Sequence, residues 1–395
     1  MSPLRYFIND SRTVGILLIV CTISSVFFSN IYTGTSYRNL WINEMYVSSF
    51  IHLPKNLLEW INNFLMSFFF LMAGTEIKRE LVEGELSSFK KAVLPFGAAI
   101  GGMLFPALLF VAFNVGTPFL NGWGIPTATD IAFSLGVASL LGKRVPLNLK
   151  IFLMALAIID DLGAIVVIAL FYGNKIYWMY LLFAVVIAVV LQLLNVRKIK
   201  FGWIQITLGF CLWYAILQSG IEASIAGVVF AFTVPVNKLV AVEKYIHNAV
   251  NFLILPLFAL ANTAIIIPLQ ITAALNTPQG IGIISGLVLG KPIGVFLFSR
   301  LLVSLNLASL PTNVQWKQVL GMGALAGIGF TMSIFTTMLA FSDEAARDIC
   351  KIAVLTSMLL SVIISSVYFW YIGLGVIETN NLNSFHHAEI KLKLT

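Results

Sequence analysis

The stretch Lys150-Ile151-Phe152-Leu153-Met154-Ala155-Leu156-Ala157-Ile158-Ile159-Asp160-Asp161-Leu162-Gly163 decides the reading of this chain. Two adjacent carboxylates stand inside an apolar run that extends from Ile151 to Phe171. A run of about 20 apolar residues crosses a bilayer core as a helix. At the helical rise Asp160 lies roughly 15 Å beyond Lys150, near the midplane of a core roughly 30 Å thick. A charge at that depth costs a few kcal/mol or more and usually faces a partner or a polar cavity. The bland reading is an ion pair that only fixes packing. It absorbs one carboxylate and leaves the other unpaired. Neighbouring helical residues project about 100° apart, so one carboxylate can meet an adjacent span while the other faces a cavity.

Composition agrees with a membrane setting. Hydrophobic residues make up 59% of the chain and charged residues 10%, and the mean hydropathy is +0.94. A soluble domain carries about 25% charged residues. The reading is an all-α polytopic membrane protein forming a single membrane domain over 1–395. The net charge of +7 does not indicate a nucleic-acid partner, because the basic residues fall in short loops between apolar runs. Cys21, Cys211 and Cys350 are scattered and make neither a metal spacing nor a disulfide framework. The first apolar run reads on into a Ser/Asn/Tyr stretch without a clear cleavage site, so no cleavable signal peptide is expected.

About 12 transmembrane helices are expected, near 13–31, 57–77, 92–115, 122–142, 149–172, 177–196, 203–218, 221–236, 246–268, 281–303, 317–341 and 350–376. Segment 32–56, with Tyr32, Tyr37, Trp41 and Tyr46, is too mixed to span and is read as extramembrane. The Lys and Arg residues of the loops divide about eighteen to five between the two faces. The positive-inside rule then puts both termini, tails 1–12 and 378–395, in the cytoplasm.

Two spans read as broken. Gly122-Trp123-Gly124-Ile125-Pro126-Thr127-Ala128-Thr129-Asp130 puts two glycines, a proline and an aspartate at membrane depth. Proline removes a helical hydrogen bond, and irregular backbone at that depth survives only inside protein or beside water. Gly321 to Ser333 is the second, dense in glycine. The two segments overlay at a constant offset, with Gly122 on Gly321, Gly124 on Gly323 and Ser134 on Ser333. Pro95-Phe96-Gly97 matches Pro292-Ile293-Gly294 at nearly the same offset. Spans three and ten have opposite parity, so the repeat is inverted. That is the pattern of secondary transporters with a site at the repeat interface.

Lys291, in Gly290-Lys291-Pro292, adds a positive charge near the midplane. It reads equally as a structural counter-ion and as a proton carrier, since burial penalises its charged form. Asp130 reads first as charge compensation for half-helix N-termini, and second as an ion ligand. Carboxylates suit hard cations such as Na⁺ and Li⁺, by the oxygen-ligand logic of Mg²⁺ and Ca²⁺. Burial and mutual repulsion oppose double ionisation of Asp160 and Asp161, so the pair holds either a cation or protons. Exclusive occupancy with alternating access gives antiport.

The same residues carry a family resemblance from about Gly15 to Ile372. Leu71-Met72-Ala73-Gly74-Thr75-Glu76-Ile77-Lys78-Arg79-Glu80-Leu81, Pro126-Thr127-Ala128-Thr129-Asp130, the Asp160-Asp161 run, Leu255-Pro256-Leu257-Phe258-Ala259-Leu260-Ala261-Asn262, Gly290-Lys291-Pro292 and Gly327-Ile328-Gly329-Phe330-Thr331-Met332-Ser333 resemble the NhaA sodium/proton antiporters. The resemblance implies a twelve-helix antiporter of a bacterial cytoplasmic membrane, with two broken, crossing helices. It implies electrogenic exchange of Na⁺ or Li⁺ for H⁺, serving sodium and pH homeostasis, and no cofactor. It implies that Asp161 is the principal cation and proton ligand, with Asp160 its partner and tied to Lys291. Thr129 and Asp130 belong to the helix break. It further implies a homodimer, partly through the 32–56 hairpin, in contact with membrane lipid. Glu76, Lys78, Arg79, Glu80, Glu222 and Glu243 are its candidates for pH response. Their bland reading is solvated helix ends with i,i+4 pairing.

The chain departs from the family pattern at Glu222, where His is common, and at Asn63, where an aspartate is frequent. The principal alternative is a sodium-coupled symporter for an organic anion, which requires a roomy polar cavity. A channel requires a continuous pore. An intramembrane enzyme is disfavoured by the lack of a paired Ser/His or metal-ligand set.

Overall fold

The computed structural model describes residues 3–31, 34–45, 53–173, 175–268 and 270–393. Tyr32 and Tyr46, expected in the extramembrane segment, lie outside the described residues. The described chain is helical and holds no strand. We label its main helices α1 (Pro3–Ser29), α2 (Gly34–Ile42), α3 (Leu57–Val82), α4 (Phe89–Asn114), α5 (Ile131–Leu140), α6 (Leu147–Phe171) and α7 (Trp178–Val196). They continue with α8 (Trp203–Ser219), α9 (Ile225–Thr233), α10 (Val236–Asn262), α11 (Pro278–Ser304), α12 (Trp316–Ala326), α13 (Phe330–Ala340) and α14 (Glu344–Lys393).

Among the described residues, eight helices are long and apolar enough to cross a membrane, and nine if α12 and α13 count as one span bent by 48°. The other expected spans take shorter forms. Gly220, at φ +83°, ends α8 as a left-handed cap that a Cβ would strain. The chain then turns before the nine residues of α9, which stop ahead of Pro235. The expected fourth span is a 3₁₀ segment, Leu120–Thr127, followed by extended backbone and then α5. Gly122, Gly124 and Pro126 deny that segment a regular helix.

Three long helices each contain one π-helical turn: Ile61–Leu65 in α3, Val250–Ile254 in α10 and Gly286–Gly290 in α11. Two of them end two residues before a proline, Pro256 and Pro292. A proline ring clashes with the carbonyl four residues back and donates no hydrogen bond. Widening the preceding turn relieves that clash while the chain continues in the same direction. Lys291 is the first residue beyond the widened turn of α11.

Helices α4 and α11 cross at backbone contact. A Cβ on Gly101 would run into the carbonyl oxygen of Gly294, and one on Gly294 into that of Gly101. Without a hydrophobic drive between helices in lipid, such close approach is what packing rests on. Gly294→Leu is therefore expected to cost at least the roughly 1–3 kcal/mol typical of overpacking. It lowers the thermal midpoint in detergent. Gly202→Ala, whose Cβ meets nothing within 4 Å, leaves the midpoint unchanged.

The buried apolar core runs through α1, α3, α4, α5, α6, α10, α11, α12, α13 and α14. A smaller core joins α7, α8 and α9 at one side. The charged centre described next lies within the larger one.

Candidate ion-binding site

The two interruptions meet. Helix α5 starts at Asp130, whose backbone N–H donates to Ile328 O at 2.7 Å, between α12 and α13. Asp130 caps α5: its Oδ1 accepts from Phe133 N–H at 3.0 Å. Its Oδ2 reaches across to α13 and accepts from Thr331 N–H at 3.0 Å and Thr331 Oγ1 at 2.7 Å. One carboxylate thus satisfies the first amides of both half-helices, where partial positive charge collects. Two serines reciprocate across the junction. Ser134 donates to Leu325 O at 2.8 Å and Ser333 to Ile125 O at 2.7 Å.

Asp160 and Asp161 point to different surroundings, as their 100° offset requires. Asp160 is fully buried. Its Oδ2 lies 2.6 Å from Lys291 Nζ and 2.6 Å from Thr129 Oγ1. Lys291, also fully buried, donates in addition to the Thr127 carbonyl of the first interruption. The Thr129 hydroxyl sits 2.9 Å from Ala326 O of α12. The ion pair therefore fastens α6 and α11 to both broken segments at once. Two charges leave water here, and such a pair persists only when its remaining donors and acceptors are satisfied. Thr127 O and Thr129 Oγ1 meet that requirement for the ammonium and for one carboxylate oxygen.

Asp161 holds no such pair. It lines a cavity of about 60 Å³ together with Thr129, Asp130, Thr331, Glu76, Glu243 and His247. Oδ1 of Asp161 and Oδ1 of Asp160 are both buried without a hydrogen-bond partner. Buried carboxylate oxygens without a partner on adjacent residues are costly. Occupation by a cation or by protons would remove that cost.

The expected peripheral charges separate into two groups. At the mouth of the Asp161 cavity, Arg79 Nη1 pairs with Glu243 Oε2 at 2.5 Å, and Arg79 Nη2 lies 3.8 Å from Glu80 Oε1. Lys78 Nζ donates to Phe232 O and Val234 O at 2.7 and 2.6 Å, capping the C-terminus of α9. Glu76 is buried on the cavity wall, one turn deeper. Glu222 stands elsewhere. It lines a second cavity of about 270 Å³ with Arg38, Asn62, Asn63, Arg347 and Lys351. Arg38 there bridges Glu344 at 2.5 Å and Asp348 at 3.3 Å, tying α2 to α14. Thr331 and His247 at the first cavity, and Arg38 at the second, escaped the sequence reading. Thr331 lay in a quoted motif, but nothing in its spacing tells which carboxylate it would meet.

Fold and site together define a multi-pass helical membrane protein whose charge is concentrated where two interrupted helices meet. Comparison with known proteins narrows the class. Residues 5–369 match the family model described as Na+/H+ antiporter 1. The Na(+)/H(+) antiporter NhaA of Cytophaga hutchinsonii is 46% identical over 370 residues, covering 92% of this chain and 94% of that protein. The protein of the same name from Flavobacterium psychrophilum is 44% identical over 383 residues, covering 95% and 98%. Na(+)/H(+) antiporter NhaA 1 of Clostridium beijerinckii is 42% identical, covering 93% and 94%. The chain belongs to the NhaA family of Na⁺/H⁺ antiporters.

Proposed function

We propose that this protein expels Na⁺ or Li⁺ across a bacterial cytoplasmic membrane in exchange for H⁺, electrogenically and by alternating access. The observation that carries this reading is the asymmetry of the two aspartates. Asp160 is engaged by Lys291 and Thr129, whereas Asp161 keeps an open oxygen at the end of a cavity. Asp161 is the principal site of exclusive cation or proton binding. Asp160, through its own open Oδ1, is the second oxygen ligand. Asp130 and Thr129 hold the crossing, and Lys291 balances the charge. A cavity of about 60 Å³ is the size of a few waters, which suits a stripped cation better than an organic anion.

In the reciprocal bonds the donors Ser134 and Ser333 and the acceptors Ile125 and Leu325 correspond at nearly one offset. They support the inverted repeat and the twelve-span count read from the sequence. The excess of Lys and Arg at the face of Lys78, Lys143 and Lys238 supports cytoplasmic termini. The Asp161 cavity then opens to the cytoplasm and the Arg38 cavity to the outside. Glu76, Lys78, Arg79, Glu80 and Glu243 form a cytoplasmic cluster that biases access with pH, and Glu222 acts from outside. The chain works as a homodimer in contact with lipid, with segment 32–56 at the interface.

In everted vesicles, Na⁺ and Li⁺ added to an established proton gradient are expected to dequench a pH-sensitive dye, and K⁺ to leave it quenched. A membrane potential of either sign changes the rate if exchange is electrogenic. Dequenching by K⁺ equal to that by Na⁺ overturns the selectivity. Rates indifferent to potential overturn electrogenicity.

A further inference from the structure

Three helices line both cavities. On α3 the Arg38 cavity reaches Asn62 and Asn63, and the Asp161 cavity starts at Phe69. On α10 the first reaches Ala261 and the second Leu255; on α13 they reach Phe335 and Met332. At the helical rise the cavities are thus only about 5–9 Å apart along these helices. Phe335, at the edge of the Arg38 cavity, packs against Phe70 of α3 and Phe258 of α10 to form an aromatic wall there, all three buried. Their ring centroids are 5.5 Å (Phe70 to Phe335) and 6.5 Å (Phe258 to Phe335) apart.

A reciprocal amide pair joins α3 to α10 at the Arg38-cavity edge of this wall, where Asn62 lines that cavity. Asn262 Nδ2 donates to Asn62 Oδ1 at 2.9 Å, and Asn62 Nδ2 donates to Asn262 Oδ1 at 3.3 Å. Both residues are buried. Asn62 sits in the π-helical turn of α3, and Asn262 is the last residue of α10, with non-helical chain beyond it. A π turn and a helix end are backbone features that rearrange without unwinding a span. The bond type matters as well. Opening a neutral amide pair strands no charge, whereas opening a buried ion pair such as Asp160–Lys291 leaves two unpaired charges. Closed, each amide saturates the other. Open, each presents a carbonyl oxygen, the hard donor a sodium ion takes in place of water.

We propose that the Asn62–Asn262 pair is the clasp closing the path between Asp161 and the Arg38 cavity, and that its opening frees two amide oxygens that pass the cation across the aromatic wall. This rests on the alternating-access reading above. A purely structural fastener would stay closed throughout the cycle, and the test separates the two. In a background with Cys21, Cys211 and Cys350 replaced by alanine, Asn62→Cys and Asn262→Cys are combined and the thiols bridged with mercuric ion. Bridging is verified by mass spectrometry. Na⁺/H⁺ exchange is expected to fall to background on bridging and to return with dithiothreitol, while each single-cysteine variant is indifferent to mercury. ²²Na⁺ binding by the bridged protein persists, because the Asp161 cavity remains open on its own side. Full exchange by bridged protein overturns the clasp. Absence of exchange in the cysteine-free background, with Asn62 and Asn262 intact, would instead count against the antiport reading. Should the double variant fail to fold, Asn62→Ala and Asn262→Ala decide. For a clasp that ligates, KM for Na⁺ rises several-fold in each. For a fastener, thermal stability drops and KM stays as it was.

Discussion

Asp161→Asn abolishes Na⁺-dependent proton movement in everted vesicles while the protein inserts and unfolds at no lower a temperature. The side chains are nearly isosteric, so packing in α6 is preserved. The buried Oδ1 of Asp161 accepts no hydrogen bond, so no structural bond to that atom is lost. What disappears is the negative charge and the titratable proton, the two properties exchange requires. Removing an unpaired buried carboxylate also removes a desolvation cost, which keeps stability level or raises it. Unaltered exchange sinks the assignment of Asp161. Lost exchange together with lost membrane insertion makes the residue structural.

Lys291→Ala has the largest expected effect on stability. It strips Asp160 of its counter-charge in a site where both groups are fully buried. Breaking a buried pair by removing one partner costs about 3–5 kcal/mol, because the other charge stays behind. The same change leaves the Thr127 carbonyl without its donor and empties the volume of a lysine stem between α6 and α11. Adding Asp160→Asn is expected to recover part of the loss, because a neutral amide no longer needs a cation beside it. Thr129 still donates to it. The unrecovered part measures the cavity and the orphaned carbonyl. A double-mutant cycle on thermal stability reports the coupling. Additive effects of the two changes would mean that the 2.6 Å contact contributes nothing to folding.

The two variants differ because adjacent residues occupy unlike surroundings. Adjacency and the helical offset place Asp160 and Asp161 in different surroundings, and Gly290-Lys291-Pro292 places a cation at comparable depth. The resemblance to the NhaA family suggested which aspartate takes the lysine. The structure shows the contact and adds Thr127 O and Thr129 Oγ1, which make the pair tolerable in a dry interior. Asp130 accepts from the first amides of α5 and α13. Its second partner, Thr331, lies 201 residues away, beyond any periodicity argument.

Glu222 shows where sequence reasoning stops. The family pattern groups it with Glu76, Lys78, Arg79, Glu80 and Glu243, yet it lines the Arg38 cavity, whereas Glu76 and Glu243 line the Asp161 cavity. Linear position says which end of a span a charge occupies. It does not say which of two cavities lies in front of it, because that depends on how helices distant in the chain rotate against one another.

The sequence by itself determined the solvent, the helical class, the break points and the presence of charge at membrane depth. Each of these follows from local chemistry: hydrophobic length, proline and glycine at membrane depth, and charges too costly to be incidental. Only the tertiary structure decided the pairing. Asp160 with Lys291, Asp130 with Thr331 and Asn62 with Asn262 are contacts between spans far apart in sequence. Side-chain hydrogen bonds and ion pairs act over about 3 Å, and only the packing of α3, α6, α10, α11 and the two broken helices brings those groups within that range.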